Sequence, residues 1–167
     1  MRLDKLLERL EYEVVQGSDR TEVTTLVNDS RKVEKGSVFV CISGAVSDGH
    51  RFAADVADKG AAALVVEKEV KVPEEVTVIR VPDTRYALAL MSAAYFGYPA
   101  EKLNIIGITG TKGKTTTTYM IKSILEGVGH KVGLIGTIEA IIGDKRIPAS
   151  NTTPESFTIH QYFAEMV

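Results

Sequence analysis

The stretch Gly107-Ile-Thr-Gly-Thr-Lys-Gly-Lys-Thr-Thr-Thr-Thr118 lies between an apolar run, Leu103-Asn-Ile-Ile-Gly-Ile108, and a run with helical spacing from about Lys114 to Glu126. A β-type run, a glycine-rich turn and a helix form the context that a phosphate loop requires. Gly110 and Gly113 permit backbone conformations and close approach that larger residues forbid. Successive N–H groups at the helix start can then point at phosphate oxygens. Lys114 is placed to neutralise the outer phosphates and is the candidate catalytic residue, while the Thr115 hydroxyl is a candidate magnesium ligand. The expected nucleotide-binding set is Gly110, Thr111, Lys112, Gly113, Lys114, Thr115 and Thr116. The general pattern is matched with an offset: its first glycine would fall at position 108, which is Ile, and Gly107 comes one residue early. The bland alternative is a glycine-containing strand–helix turn with a surface lysine, but Gly-Lys-Thr at such a junction has few structural reasons to exist.

Upstream, Val38-Phe-Val-Cys-Ile42, Ala63-Leu-Val-Val66 and Val76-Thr-Val-Ile-Arg-Val81 are β-branched, apolar runs that predict strands. Between the first two, Phe52, Ala53, Val56 and Ala57 share a helical face, and Gly60 is a suitable stop. Strand, helix, strand in that order implies a parallel α/β unit. Leu3, Leu6, Leu7 and Leu10 predict a short amphipathic opening helix. A further helix follows Pro82, capped by Asp83 or Thr84, and ends near Gly97-Tyr-Pro99. That Gly/Pro break is the candidate boundary. The fold class is α/β throughout: a small N-terminal α/β domain over 1–98, then a second α/β domain over 99–167 that begins with the phosphate loop. Within the second, Val132 to Ile135 predicts a strand, Gly143-Asp-Lys145 a hairpin turn, and Pro154 to Val167 the start of a helix with Thr153 as its cap.

Lys plus Arg number 20 and Asp plus Glu 22, for a net charge of -2. That balance argues against a nucleic-acid binder, so phosphate recognition must be local. Cys41 is the single cysteine, which excludes an internal disulfide and a cysteine zinc cluster. The opening leucines are interrupted by charge, so no signal-peptide core is visible, and a cytoplasmic location is expected. His50 would ordinarily be a solvated loop residue; it is read as structural, since a metal role needs more ligands nearby, and Lys68-Glu69 reads as solvated surface charge. Asp29-Ser-Arg31 reads as a turn from its residue types alone.

Thr109-Gly-Thr-Lys-Gly-Lys-Thr-Thr116 resembles the ATP loop of the Mur ligase superfamily, with Lys112 where that family usually has Asn. Asn28-Asp-Ser-Arg-Lys-Val33 with Gly36-Ser-Val-Phe-Val40 resembles the family's N-terminal "DSR…GDLFVA" segment. Ser47-Asp-Gly-His-Arg-Phe52 with Gly60-Ala-Ala-Ala-Leu-Val-Val66 resembles "DGHxF…KGA", and Asn151-Thr-Thr-Pro-Glu-Ser156 resembles "NTTPE". Together these match the E type. The resemblance implies that the second domain is the opening part of a P-loop ATPase domain. It implies that the first domain binds the UDP-MurNAc substrate, with Ser30, Asn151, Thr152 and Thr153 as substrate-binding residues, of which Ser30, Thr152 and Thr153 are expected to line one cleft.

It also implies the reaction: ATP-dependent amide formation between UDP-MurNAc-L-Ala-D-Glu and a diamino acid, meso-diaminopimelate or L-lysine, through an acyl phosphate. ATP and Mg²⁺ are the implied cofactors, and no protein partner, nucleic acid or membrane is implied. Family members are much longer, so the chain is expected to be a fragment without turnover of its own. The alternatives are a non-catalytic module gripping UDP-sugar or nucleotide phosphates, another amide ligase of the superfamily, or a small P-loop kinase. A kinase needs a second acidic metal ligand after an apolar strand, and only Glu139 is available.

Overall fold

The computed structural model describes residues 1–44, 47–149 and 151–167. The chain divides into two compact units, Met1–Tyr95 and Phe96–Val167.

The first unit is built on a five-stranded sheet. Its strands are β1 (Glu13–Gln16), β2 (Leu26–Val27), β3 (Val38–Val40), β4 (Ala63–Val66) and β5 (Thr77–Arg80), in the order β1-β5-β4-β3-β2. β2 to β5 are parallel, and β1 closes the β5 edge antiparallel, with Glu13 opposite Arg80. The three predicted strands are thus the inner strands of the sheet. Their unbroken apolar character follows from burial on both faces. Phe39, Cys41, Leu64, Val66, Val76 and Val78 pack with Ala53 and Val56 of α2 (Ala53–Asp58) in one cluster. Alternation turns the intervening residues to the opposite face. Helices α1 (Leu3–Leu7) and α3 (Thr84–Tyr95) pack against each other and bury Leu3, Leu6, Leu7, Ala87, Leu88 and Met91.

Local chemistry sets the helix ends. Gly60 follows α2 with φ +92°; its N–H donates to the Ala57 carbonyl, and Ala61 N–H to that of Val56. This paired closure favours glycine at the left-handed position. Asp83 caps α3, its Oδ1 accepting from the N–H groups of Arg85 at 2.8 Å and Tyr86 at 2.9 Å.

The second unit opens with a 3₁₀ turn, Pro99–Lys102, followed by α4 (Lys114–Gly127), β6 (Leu134–Ile135), β7 (Glu139–Ile142), β8 (Lys145–Pro148) and α5 (Ser156–Met166). The three strands form an antiparallel sheet in the order β6-β7-β8. Ile142 lies opposite Lys145, so Gly143 and Asp144 form the predicted tight turn. Phe96 packs on Phe157 with ring centroids 5.2 Å apart.

Two expectations are corrected in this unit. Leu103 to Ile108 forms no strand: it is unpaired, and Ile105 and Ile106 are exposed. The run has the composition of an inner parallel strand, but the described residues supply it with no neighbouring strand to pair with. Thr153 does not cap the last helix. α5 starts at Ser156 with Glu155 in the extended cap position and no side-chain bond, which leaves Pro154 outside the helix.

Candidate functional site

In the first unit the segment after β2 carries the Asp29-Ser-Arg motif. Asp29 caps a 3₁₀ turn, Ser30–Lys32, by accepting from the Arg31 N–H at 3.0 Å. The same carboxylate takes the Arg31 guanidinium through two bonds, from Nε at 2.9 Å and Nη2 at 2.8 Å. These Arg31 bonds hold the Asp29 pKa down at about 2. The turn predicted from residue types is therefore present, and it leaves Ser30 half-buried with its carbonyl accepting from Lys59 Nζ at 3.1 Å.

Ser30 lines a cavity of about 540 Å³ together with Asn28, Arg31, Phe39, Ile42 and Phe52. The cavity lies beyond the carboxyl ends of β2 and β3, where open parallel sheets bind their ligands. Its volume suits a small molecule. Phe52 and Ile42 offer apolar walls, and Asn28 and Ser30 offer hydrogen-bonding groups.

The other edge of this cavity is formed by Gly44, Ser47 and Gly49. Gly49 has no room for a side chain: an added Cβ would lie 2.8 Å from the Ile42 nitrogen and 3.0 Å from its oxygen. His50 has the structural role expected of it, but it is not solvated. Its side chain is only 8% exposed and is hydrogen-bonded on both ring nitrogens. Lys68, read as solvated, forms an ion pair with Asp48 at 2.7 Å. The missed signal was the proximity of Asp48 and His50 to the end of β4, which only the sheet register reveals.

In the second unit Gly113 precedes α4 in the left-handed conformation, φ +79° and ψ -9°, and its carbonyl accepts the first helical bond from Thr117 N–H at 2.9 Å. The N–H groups of Lys114, Thr115 and Thr116 therefore open the helix without helical partners. These donors and the helix dipole favour an anion. Lys114 Nζ donates to the Gly110 carbonyl at 2.6 Å, folding the ammonium over the loop. A cavity of about 260 Å³ is lined by Thr111, Lys112, Gly113, Lys114, Thr115 and Thr116, with Thr137 and Thr152 facing them. Thr152 thus joins the phosphate loop, although 36 positions separate it from Thr116. Asn151 and Thr153 are exposed and do not line this cavity. Thr137, between β6 and β7, was not singled out by the sequence; a lone threonine in a turn carries no signal of its own.

The orientation of α4 is held from the side. Tyr119 OH donates to Glu139 Oε1 at 2.7 Å, and Arg146 Nη1 donates to the same oxygen at 2.7 Å. The Glu139 carboxylate raises the Tyr119 pKa through that bond.

Open N–H groups, two lysines and a row of hydroxyls fit a chain of phosphates. For a divalent ion, the described residues contain no cluster of three or more His, Cys, Asp or Glu. Thr115 alone fits a magnesium ion whose other ligands are phosphate oxygens and water.

A parallel α/β unit with a cavity at its strand ends, followed by a glycine-rich loop opening a helix, defines a two-unit α/β chain with a candidate phosphate site. Residues 22–98 match the Mur ligase family, catalytic domain, and residues 108–167 match the Mur ligase middle domain; the chain belongs to the Mur ligase family. It is similar to the UDP-N-acetylmuramoyl-L-alanyl-D-glutamate--2,6-diaminopimelate ligase of Clostridium perfringens (strain 13 / Type A), with 52% identity over 100% of this chain and 34% of that protein. The similarly named protein of Bacillus velezensis (strain DSM 23117 / BGSC 10A6 / LMG 26770 / FZB42) is 48% identical over 99% of this chain and 34% of its own length. The chain therefore spans about a third of the length of these curated relatives. Among solved structures, one named as a UDP-N-acetylmuramoyl-L-alanyl-D-glutamate--2,6-diaminopimelate ligase shares the fold at TM-score 0.76 and 24% identity, covering 99% of this chain and 33% of that one. MurF from Acinetobacter baumannii aligns at TM-score 0.58 and 26% identity, covering 99% and 33%.

Proposed function

We propose that the protein to which this chain belongs joins a diamino acid, diaminopimelate, to UDP-MurNAc-L-Ala-D-Glu in an ATP-dependent amide ligation, in the cytoplasm. The observation that carries this reading is Thr152 in one cavity with Lys114 and Thr115. The residues expected to meet the acceptor substrate and those expected to meet the nucleotide phosphates share one space there.

A carboxylate resists attack by an amine because it is anionic and lacks a leaving group. ATP supplies the phosphoryl group that turns it into an acyl phosphate, and Mg²⁺ held by Thr115 would offset phosphate charge. The chain's own contribution is binding and positioning. The N–H groups of Lys114, Thr115 and Thr116 orient phosphate oxygens, and Gly110, Thr111, Lys112 and Gly113 shape the loop. Lys114 leaves the Gly110 carbonyl to neutralise the outer phosphate. Ser30 in the first-unit cavity, and Asn151, Thr152 and Thr153 in the second unit, are the substrate-binding residues of this reading.

A kinase reading has less support. Its single candidate acid, Glu139, already accepts bonds from Tyr119 and Arg146. A non-catalytic UDP-sugar module shares the first cavity but gives no reason for Thr152 to meet the phosphate loop. The test is calorimetric titration of UDP-MurNAc-L-Ala-D-Glu into the chain with and without ATP·Mg²⁺, for wild type and Thr152→Ala. The reading expects the two ligands to strengthen each other's binding, with that coupling lost in Thr152→Ala. Independent binding in wild type contradicts it.

A further inference from the structure

His50 sits just outside the first-unit cavity, yet it organises the cavity's edge. Its Nε2 accepts the Glu67 N–H at 2.9 Å, and its Nδ1 lies 2.6 Å from Asp48 Oδ1. A ring nitrogen that accepts from an amide carries no proton, so Nδ1 bears the hydrogen and donates to Asp48. Asp48 Oδ1 also accepts the His50 N–H at 3.1 Å, and Asp48 Oδ2 accepts from Lys68 Nζ at 2.7 Å.

The neighbouring Glu67 completes the arrangement. Its Oε1 accepts from the Thr84 N–H and hydroxyl, each at 2.7 Å, at the start of α3, and its Oε2 accepts from Ser43 Oγ at 3.3 Å. Ser43 on one side of the cavity edge, and Asp48 with His50 on the other, are thus tied to two consecutive residues beyond β4. Gly49, wedged against Ile42 with no space for a Cβ, is held at the same point. Ser47, Gly49 and Phe52, which flank this clasp, all line the cavity.

We propose that His50 is a positioning residue for the ligand of the first-unit cavity. The imidazole touches no ligand. It fixes the Ser47–Phe52 segment against the end of β4, so that the cavity edge is preformed when a uridine diphosphate group arrives. The inference rests on the proposed role of this cavity as the UDP site. Losing the imidazole leaves the Glu67 N–H without its partner and releases Asp48 toward Lys68 and solvent. Binding must then order the segment at the expense of affinity.

The test is calorimetric titration of UDP into the wild-type chain, His50→Ala and His50→Gln, with a melting curve for each. The glutamine carboxamide oxygen can accept the Glu67 N–H, and its NH₂ can donate to Asp48. The expected result is a loss of about tenfold in affinity for His50→Ala and recovery to within about threefold for His50→Gln, both variants remaining folded. Long-range ¹⁵N NMR of the wild-type imidazole is expected to report the Nδ1–H tautomer. Unchanged UDP affinity in His50→Ala overturns the inference and leaves the UDP site standing, and an Nε2–H tautomer overturns it without any variant. Absence of UDP binding by the wild-type chain removes both the site and the inference.

Discussion

Leu64 and Ile124 are both aliphatic residues in the middle of regular elements, β4 and α4. Leu64 is fully buried, whereas Ile124 is 65% exposed. The contrast extends across the two units. The first buries its inner strands on both faces and seats α1, α2 and α3 against the sheet. In the second, α4 has no buried residue, and Ile105, Ile106, Met120, Val128 and Ile138 are exposed. Both sequences are comparably apolar, so composition does not make the difference. Strand pairing does: β3, β4 and β5 find neighbours in register, whereas Leu103 to Ile108 finds none among the described residues.

Truncating one residue in each unit should produce the largest difference. Leu64→Ala is expected to cost about 2–5 kcal/mol of stability in the first unit, since it removes buried methyl groups and leaves a cavity. Ile124→Ala is expected to cost less than about 0.5 kcal/mol, as a surface change. Urea unfolding of both variants checks this, and equal losses would show that α4 is packed in solution.

A smaller effect separates the two helix starts. Asp83 satisfies the first N–H groups of α3, whereas α4 begins at Gly113 with no side-chain cap. One helix is closed by its own chain and the other is left open to an anion. Asp83→Ala is expected to destabilise the first unit by about 1 kcal/mol in the same unfolding measurement. No loss would mean that other groups cap α3.

The smallest effect is a pH dependence at the cavity mouth. Arg31 lowers the Asp29 pKa to about 2, below its ordinary value of 3.8. A depressed carboxylate contributes stability above its unfolded pKa and loses it as pH falls through the folded value, so the window runs from about 4 down to about 2. Because the pair is solvent-exposed, the contribution should stay below about 1 kcal/mol. Comparing acid titrations of stability for wild type and Asp29→Asn should show a shallower decline in the variant across that window. Identical curves would remove the Arg31 effect.

Much of this contrast was legible in the sequence. The inner strands, the Asp83 cap, the Gly60 stop and the Gly143-Asp144 turn all follow from local residue chemistry. So does the shape of the loop before α4, where the left-handed Gly113 and the Lys114–Gly110 bond are local. What escaped depends on distant neighbours. β1 is an edge strand with Val14 and Val15 half-exposed, so it shows no alternation of burial. The His50 side chain is shielded where it meets Glu67 and Asp48, a contact that the sheet register creates. Leu103 to Ile108 has the residues of a strand, but a strand exists only with a partner.

The open end of α4 is proposed as a nucleotide phosphate site completed by Lys114. The most direct measurement is calorimetric titration of ATP·Mg²⁺ into the wild-type chain and Lys114→Ala. Few contacts from one loop predict affinity near the millimolar range for wild type. In Lys114→Ala the expected result is weakening of about tenfold or more, since removal of a charge-assisted phosphate contact costs about 1.5–3 kcal/mol. Equal binding of ATP·Mg²⁺ by the two proteins would contradict it.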